Sequence, residues 1–170
     1  MGSRRLRGFT LIELMVTVAV LAVLLSIGLP GFQSVLRSNR VAATHNELVA
    51  SLSLARTEAL RNGRGAGVCP STAGSACDGS WNNGWMVWSD LNGDGNFDAA
   101  EPVVRYFAPK QKMQVSSSAA GAVTFDARGR RRSAAVTLSA RPDECGDQEL
   151  QRSLLINASG QVVSSKGACS

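Results

Sequence analysis

GFTLIELMVTVAVLAVLLSIGL, Gly8 to Leu29, is the stretch whose reading decides the fold. It is a near-continuous apolar run of about 20 residues, the length a helix needs to cross ~30 Å of hydrocarbon at about 1.5 Å per residue. Arg4, Arg5 and Arg7 stand immediately before it, and Glu13 is the one acid inside it. By the positive-inside rule the arginines hold the amino end in the cytoplasm and send the carboxyl end across the membrane. A carboxylate at membrane depth costs a few kcal/mol, so Glu13 demands a role.

A secretory signal peptide has a shorter apolar core, carries no acid and ends in a small-residue cleavage site. Here Pro30, Gly31 and Phe32 follow Leu29 instead. A plain single-span anchor fits the hydropathy but leaves Glu13 without a function. The hexapeptide GFTLIE, Gly8 to Glu13, behind its basic leader resembles the class III signal of type IV pilins and pseudopilins. The resemblance implies that a prepilin peptidase cuts after Gly8, removing residues 1–8 as a leader, and that the new amino terminus, Phe9, is N-methylated. Glu13 then becomes the fifth residue of the mature chain. Its charge and the Phe9 amine of an adjacent subunit are each unfavourable alone in lipid, and a buried pair is strongly sensitive to loss of one member. Glu13 is therefore expected to recruit that amine during assembly.

At 170 residues the chain has room for one membrane helix and one modest domain. Its formal charge of +5, less the three leader arginines, is +2, which gives no general argument for nucleic acid. The hydrophobic share includes the membrane run, so the remainder is polar and Gly- and Ser-rich.

Pro30 and Gly31 mark a kink or break, because proline lacks the helical N–H donor. Residues 9–29 are expected to form the membrane and assembly half of a long helix, and residues 30–62 its periplasmic half. Helical character resumes from Phe32 to Leu60, with Leu48, Leu52, Ala55 and Ala59 on one face and Asn62-Gly63 as the stop. Residues 63–170 read as a β-rich globular domain. Strands are predicted at 65–69, 84–88, 102–107, 123–126, 135–139 and 154–157. Arg128-Gly129 and Ser159-Gly160 are turns before short continuations. Trp81, Trp85 and Trp88 suit core and hairpin packing.

Cys69, Cys77, Cys145 and Cys169 all fall in the part expected to be periplasmic. An even number in an oxidising compartment favours disulfides, with three possible connectivities. Proximity in sequence favours Cys69 with Cys77 and Cys145 with Cys169. No C-x-x-C occurs and the single histidine, His45, is remote in sequence, so zinc and thiol redox chemistry are disfavoured.

Further motifs resemble the GspH/FimT/FimU type of minor pilins and pseudopilins. They are NELVASLSLARTEALRNG (46–63), the Cys69-to-Cys77 loop, WNNGWMVWSDLNGDGNFDAAEPVVR (81–105), VTFDARGR (123–130) and LLINASGQV (154–162). The resemblance implies an α+β pilin-like fold, a long N-terminal helix packed on antiparallel β-sheet, and a low-copy subunit that helps initiate or cap a filament. Its implied partners are other major and minor pilins or pseudopilins, the prepilin peptidase, the inner-membrane assembly platform and membrane lipid.

Two polar clusters stand apart. Asp90, Asn92, Asp94, Asn96, Asp98 and Glu101 satisfy EF-hand spacing, D-x-N-x-D-G with Glu at the twelfth position, and calcium takes six to eight oxygens. The flanks read as strands, so a metal-free acidic turn is the competing reading. Arg128, Arg130, Arg131 and Arg132 crowd one turn and are candidates for phosphate contacts to DNA. Some FimT-type pilins are understood to bind DNA through a Gly-Arg-x-Arg motif near the carboxyl end. Here Gly-Arg-Arg-Arg occurs at 129–132, while the tail position reads Gly160-Gln161-Val162-Val163. A solvated turn or a contact with an acidic neighbouring subunit is the alternative. No G-x-S-x-G, H-E-x-x-H or phosphate-cradling loop is present, so no enzyme is expected.

Overall fold

The computed structural model describes residues 9–146, 148 and 149–169, together with the backbone of positions 27 and 30. The leader, residues 1–8, lies outside the described residues. Helix α1 runs uninterrupted from Leu11 to Asn62. No break occurs at 30–31: a proline removes one backbone donor, and the helix continues past it. The chain divides into two compact units, one ending at Leu36 and one beginning at Arg37.

The first unit is an apolar stretch of α1 long enough to cross a membrane. Its large side chains, Leu11 and Ile12 among them, are exposed. Two hydroxyls inside it are satisfied locally. Thr17 donates to the Leu14 carbonyl at 2.8 Å and Ser26 to the Val23 carbonyl at 2.7 Å, as hydroxyls in an apolar helix must.

The second unit carries two four-stranded antiparallel sheets. Strands β1 (Gly65–Pro70), β2 (Trp85–Asp90), β3 (Val103–Phe107) and β5 (Val123–Asp126) form one sheet in the order β3-β2-β1-β5. Strands β4 (Met113–Ser117), β6 (Val136–Pro142), β7 (Gln151–Ile156) and β8 (Val162–Gly167) form the other in the order β4-β6-β7-β8. Strand β4 is an addition to the sequence reading. Its MQVSS offers two buried apolar residues, Met113 and Val115, and takes its extended form from pairing with β6.

On α1 the buried stripe is Val41, Thr44, Leu48, Ser51, Leu52, Ala55 and Ala59, recurring at helical spacing. It shares one core with residues of both sheets, including Val68, Trp85, Phe125, Leu138, Leu154 and Ile156. The first sheet is covered on both faces, which is why all six residues of β2 are buried. A second cluster of Cys69, Met86 and Trp88 packs with Phe97 and Tyr106. Trp85 stacks on Phe107 at 5.5 Å between centroids, and Trp88 meets Phe97 edge-on at 5.9 Å.

The end of α1 is fixed by polar contacts. Buried Glu58 accepts two hydrogen bonds from the Arg61 guanidinium, at 2.7 and 2.9 Å. The Asn62 amide donates to the Gly65 carbonyl and the Ser89 hydroxyl, while its oxygen accepts from the N–H of Arg64 and Gly65. The Arg61 hydrogen bonds, with a lesser one from Ser89, hold the Glu58 carboxyl below its ordinary pKa although burial opposes them. The turns after β5 and after β7 meet where Gly160, at φ +77°, faces the Gly129 carbonyl: an added Cβ would lie 2.1 Å from that oxygen. Arg56 on α1 donates to the Gly160 carbonyl at 3.3 Å and joins helix to turn.

Two outcomes are expected. Gly160→Ala should lower stability in chemical denaturation by about 2–4 kcal/mol, since backbone cannot yield as a side chain does. Gly93→Ala, at the same φ of +77° but with open space around it, should cost only about 1 kcal/mol. The folded-state pKa of Glu58 lies below its unfolded value, so its contribution is present above that unfolded value and is lost as pH falls through the folded one. Acid unfolding of the Glu58→Gln variant should therefore show a shallower loss of stability over that acidic range.

Candidate functional site

Glu13 lies in the first turn of α1, and Thr10 is the residue before the helix. The Thr10 hydroxyl accepts the Glu13 N–H at 3.3 Å, an N-cap with the acid at the third helical position. An acid there also complements the positive end of the helix dipole. This T-x-x-E pattern was legible in the sequence but is masked by the hydropathy of the surrounding run. Phe9 is 82% exposed. Gly8, on the other side of the expected cleaved bond, lies outside the described residues.

The acidic loop folds around its own carboxylates. The two Asp90 oxygens accept from the N–H groups of Gly93 at 2.6 Å and Gly95 at 2.9 Å. Asn92 accepts from Asp94 N–H, Asp94 from Asn96 N–H, and Asp98 from Ala100 N–H. Glu101 closes the loop, accepting from Leu91 N–H at 2.8 Å and from Asp98 N–H at 3.3 Å. Asp90 and Glu101 are buried and the tip is open. The six residues of the calcium expectation, Asp90, Asn92, Asp94, Asn96, Asp98 and Glu101, thus share one loop. Among the described residues no group of three acidic, His or Cys side chains is placed to hold a metal ion. These hydrogen bonds order the loop from within the chain.

The arginine turn is largely engaged within the molecule. Arg130 pairs with Asp126 at 2.9 Å. The N–H groups of Arg128 and Arg130 donate to the same carboxylate. Burial pushes the Asp126 carboxyl up, but these N–H groups and the Arg130 guanidinium together bring it below its ordinary value. Arg131 donates to the carbonyls of Ser133 and Asn157. Arg132 reaches across to the Gly93 carbonyl, and Arg64 takes the Leu91 carbonyl. The acidic loop and the arginine turn, far apart in sequence, are therefore neighbours in space. Arg64 and Arg132 clasp the loop, a pairing with no signal in the local sequence.

Cys69 is bonded to Cys77 and Cys145 to Cys169. The first closes a turn beside β1, and the second ties the end of β8 to the loop after β6.

A family model described as type II transport protein GspH matches residues 44–160, and one for the prokaryotic N-terminal methylation motif matches residues 3–29. No curated protein matches the chain by sequence. Two crystal structures of the type IV minor pilin FimU from Pseudomonas aeruginosa PAO1, in space groups P21 and P65, share the fold at 19% identity, with TM-scores of 0.58 and 0.56. The alignments cover 75% and 73% of this chain and 89% and 91% of the FimU chains. With a long N-terminal helix on antiparallel sheets, a methylation motif at its start and a family match over well over half its length, the chain belongs to the GspH family of type IV pilin-like minor pilins and pseudopilins.

Proposed function

We propose that this chain is a non-catalytic filament subunit, a minor pilin that helps initiate or cap a type IV pilus. In this reading the prepilin peptidase cuts between Gly8 and Phe9, Phe9 is N-methylated, and the apolar half of α1 holds the subunit in the inner membrane with its β domain in the periplasm. Other pilins and the assembly platform are its partners. The observation that carries the reading is Glu13: a single acid at the start of an exposed apolar helix, with the exposed Phe9 beside it. A neighbouring subunit's amine satisfies that charge in lipid and sets the register between packed helices.

A second reading, a minor pseudopilin of a type II secretion system, is favoured by the description of the matching family model. Both use the same signal and the same helix. The third reading, a pilus-borne DNA-binding subunit, has exposed Arg128, Arg130 and Arg132 to draw on, but Arg130, Arg131 and Arg132 are also hydrogen-bonded within the chain and no observation favours it over these two.

Because Glu13 also stands at a capping position, the informative substitution is Glu13→Gln, which keeps the shape and hydrogen-bonding capacity of the side chain and removes its charge. The variant should still be processed and reach the membrane but be lost from sheared filaments, read by immunoblot. Normal incorporation would overturn the role of the charge. In a strain lacking the gene, loss of surface pili with exoprotein secretion intact supports the pilus, and the reverse phenotype supports the secretion system.

A further inference from the structure

The carboxyl-terminal strand β8 is the open edge of its sheet. Among the described residues it pairs with β7 alone, through an unbroken register from Val162 opposite Ile156 to Gly167 opposite Gln151. Val163, Ser164, Ser165 and Lys166 are all exposed. One row of its backbone donors and acceptors therefore faces outward, a template for another strand. The strand holds no proline and no register shift, two of the features that ordinarily blunt such an edge.

The side chains give the edge a chemical sign. Lys166 is directly opposite Arg152 on β7, so two cations share one face at the rim. Among the described residues neither forms an ion pair with a carboxylate. Like charges directly opposite each other are unfavourable across a strand pair. A lysine placed only to guard an edge needs no arginine beside it. The next residue along that face, Ser164, contacts His45 on α1 at 3.2 Å. Burial first, and Arg152 second, hold His45 below its ordinary pKa, so the positive charge at neutral pH is that of Arg152 and Lys166. On the opposite face Val163 and its register partner Leu155 are 51% and 46% exposed, an apolar step beside the same edge. Just beyond the strand, the Cys145–Cys169 bond anchors the chain, so the edge is held in place before anything binds.

We propose that β8 accepts an extended acidic segment of a neighbouring filament subunit by strand addition, its acids on the face of Lys166, with Arg152 one strand behind, and its apolar residues on the face of Val163. The main-chain hydrogen bonds supply affinity, and the alternation of charge and apolar contact supplies register and choice of partner. The proposal rests on the chain being a filament subunit and extends that reading to a subunit contact.

The test uses the full chain in detergent micelles and three fluorescent synthetic peptides: one alternating Glu and Val, one alternating Lys and Val, and the Glu peptide N-methylated at alternate amides. The Glu peptide should bind in preference to the Lys peptide and slow hydrogen exchange of the amides of residues 163–166. Arg152→Glu with Lys166→Glu should weaken it by about tenfold or more and reverse the preference. Intact disulfides and unchanged circular dichroism of the variant show that the fold is kept. Equal binding of the Glu and Lys peptides, or no binding of either, overturns the proposal. So does undiminished binding of the N-methylated peptide, which indicates charge attraction without strand pairing, or displacement of the Glu peptide from these residues by a short DNA duplex. Peptide binding is independent of processing at Phe9 and of Glu13, so a negative result here leaves the filament reading standing, and failure of the Glu13→Gln test leaves this one measurable.

Discussion

Burial of one stripe of α1, from Val41 to Ala59, is the constraint on which the domain depends. Both sheets contribute side chains to the core that this stripe seals. Ala55 and Ala59 are as fully buried as Leu48 and Leu52. Away from the helix, the sheets meet through few contacts, among them the touching turns at Gly129 and Gly160. Removing the stripe would expose the inner faces of both sheets at once, and neither has a second partner to cover that surface.

The charged residues divide by the environment they occupy. In the domain, Glu58, Asp126 and the acids of the 90–101 loop find donors on their own chain. These groups organise a helix end and two loops. In the apolar half of α1 the hydroxyls of Thr17 and Ser26 likewise find partners within the helix. Glu13 uses its backbone N–H in the cap and leaves its carboxylate at the exposed start of the helix. That contrast is the basis of the assembly role proposed for Glu13.

The same distinction applies to the cations. Arg130, Arg131 and Arg132 form the densest basic run in the sequence, yet each is turned onto an internal acceptor. Arg152 and Lys166 are separated by many residues and form no run, yet register places them side by side at an open edge. Density of charge along a chain is thus a poor guide to which cations hold an internal partner, because folding pairs residues across distances that a local window does not contain.

Much was legible without coordinates. The apolar run and the GFTLIE signal define the apolar half of the helix, long enough to cross a membrane, since hydropathy and length are local properties. The stripe of Leu48, Leu52, Ala55 and Ala59 and most strands follow from periodicity, and the tryptophans' place in the core follows from their size. The sequence did not reveal β4, whose extended form depends on β6, nor the continuous helix through residues 30 and 31, where adjacent turns outweigh one missing donor. It did not reveal which arginines are engaged internally, or that the acidic loop and the arginine turn touch. By itself the sequence determined which segments are apolar, periodic or turn-forming, because those depend on near neighbours. Only the tertiary structure decided which polar groups are satisfied and which strand edge stays open, because hydrogen bonds, ion pairs and register are settled between residues that the chain keeps far apart.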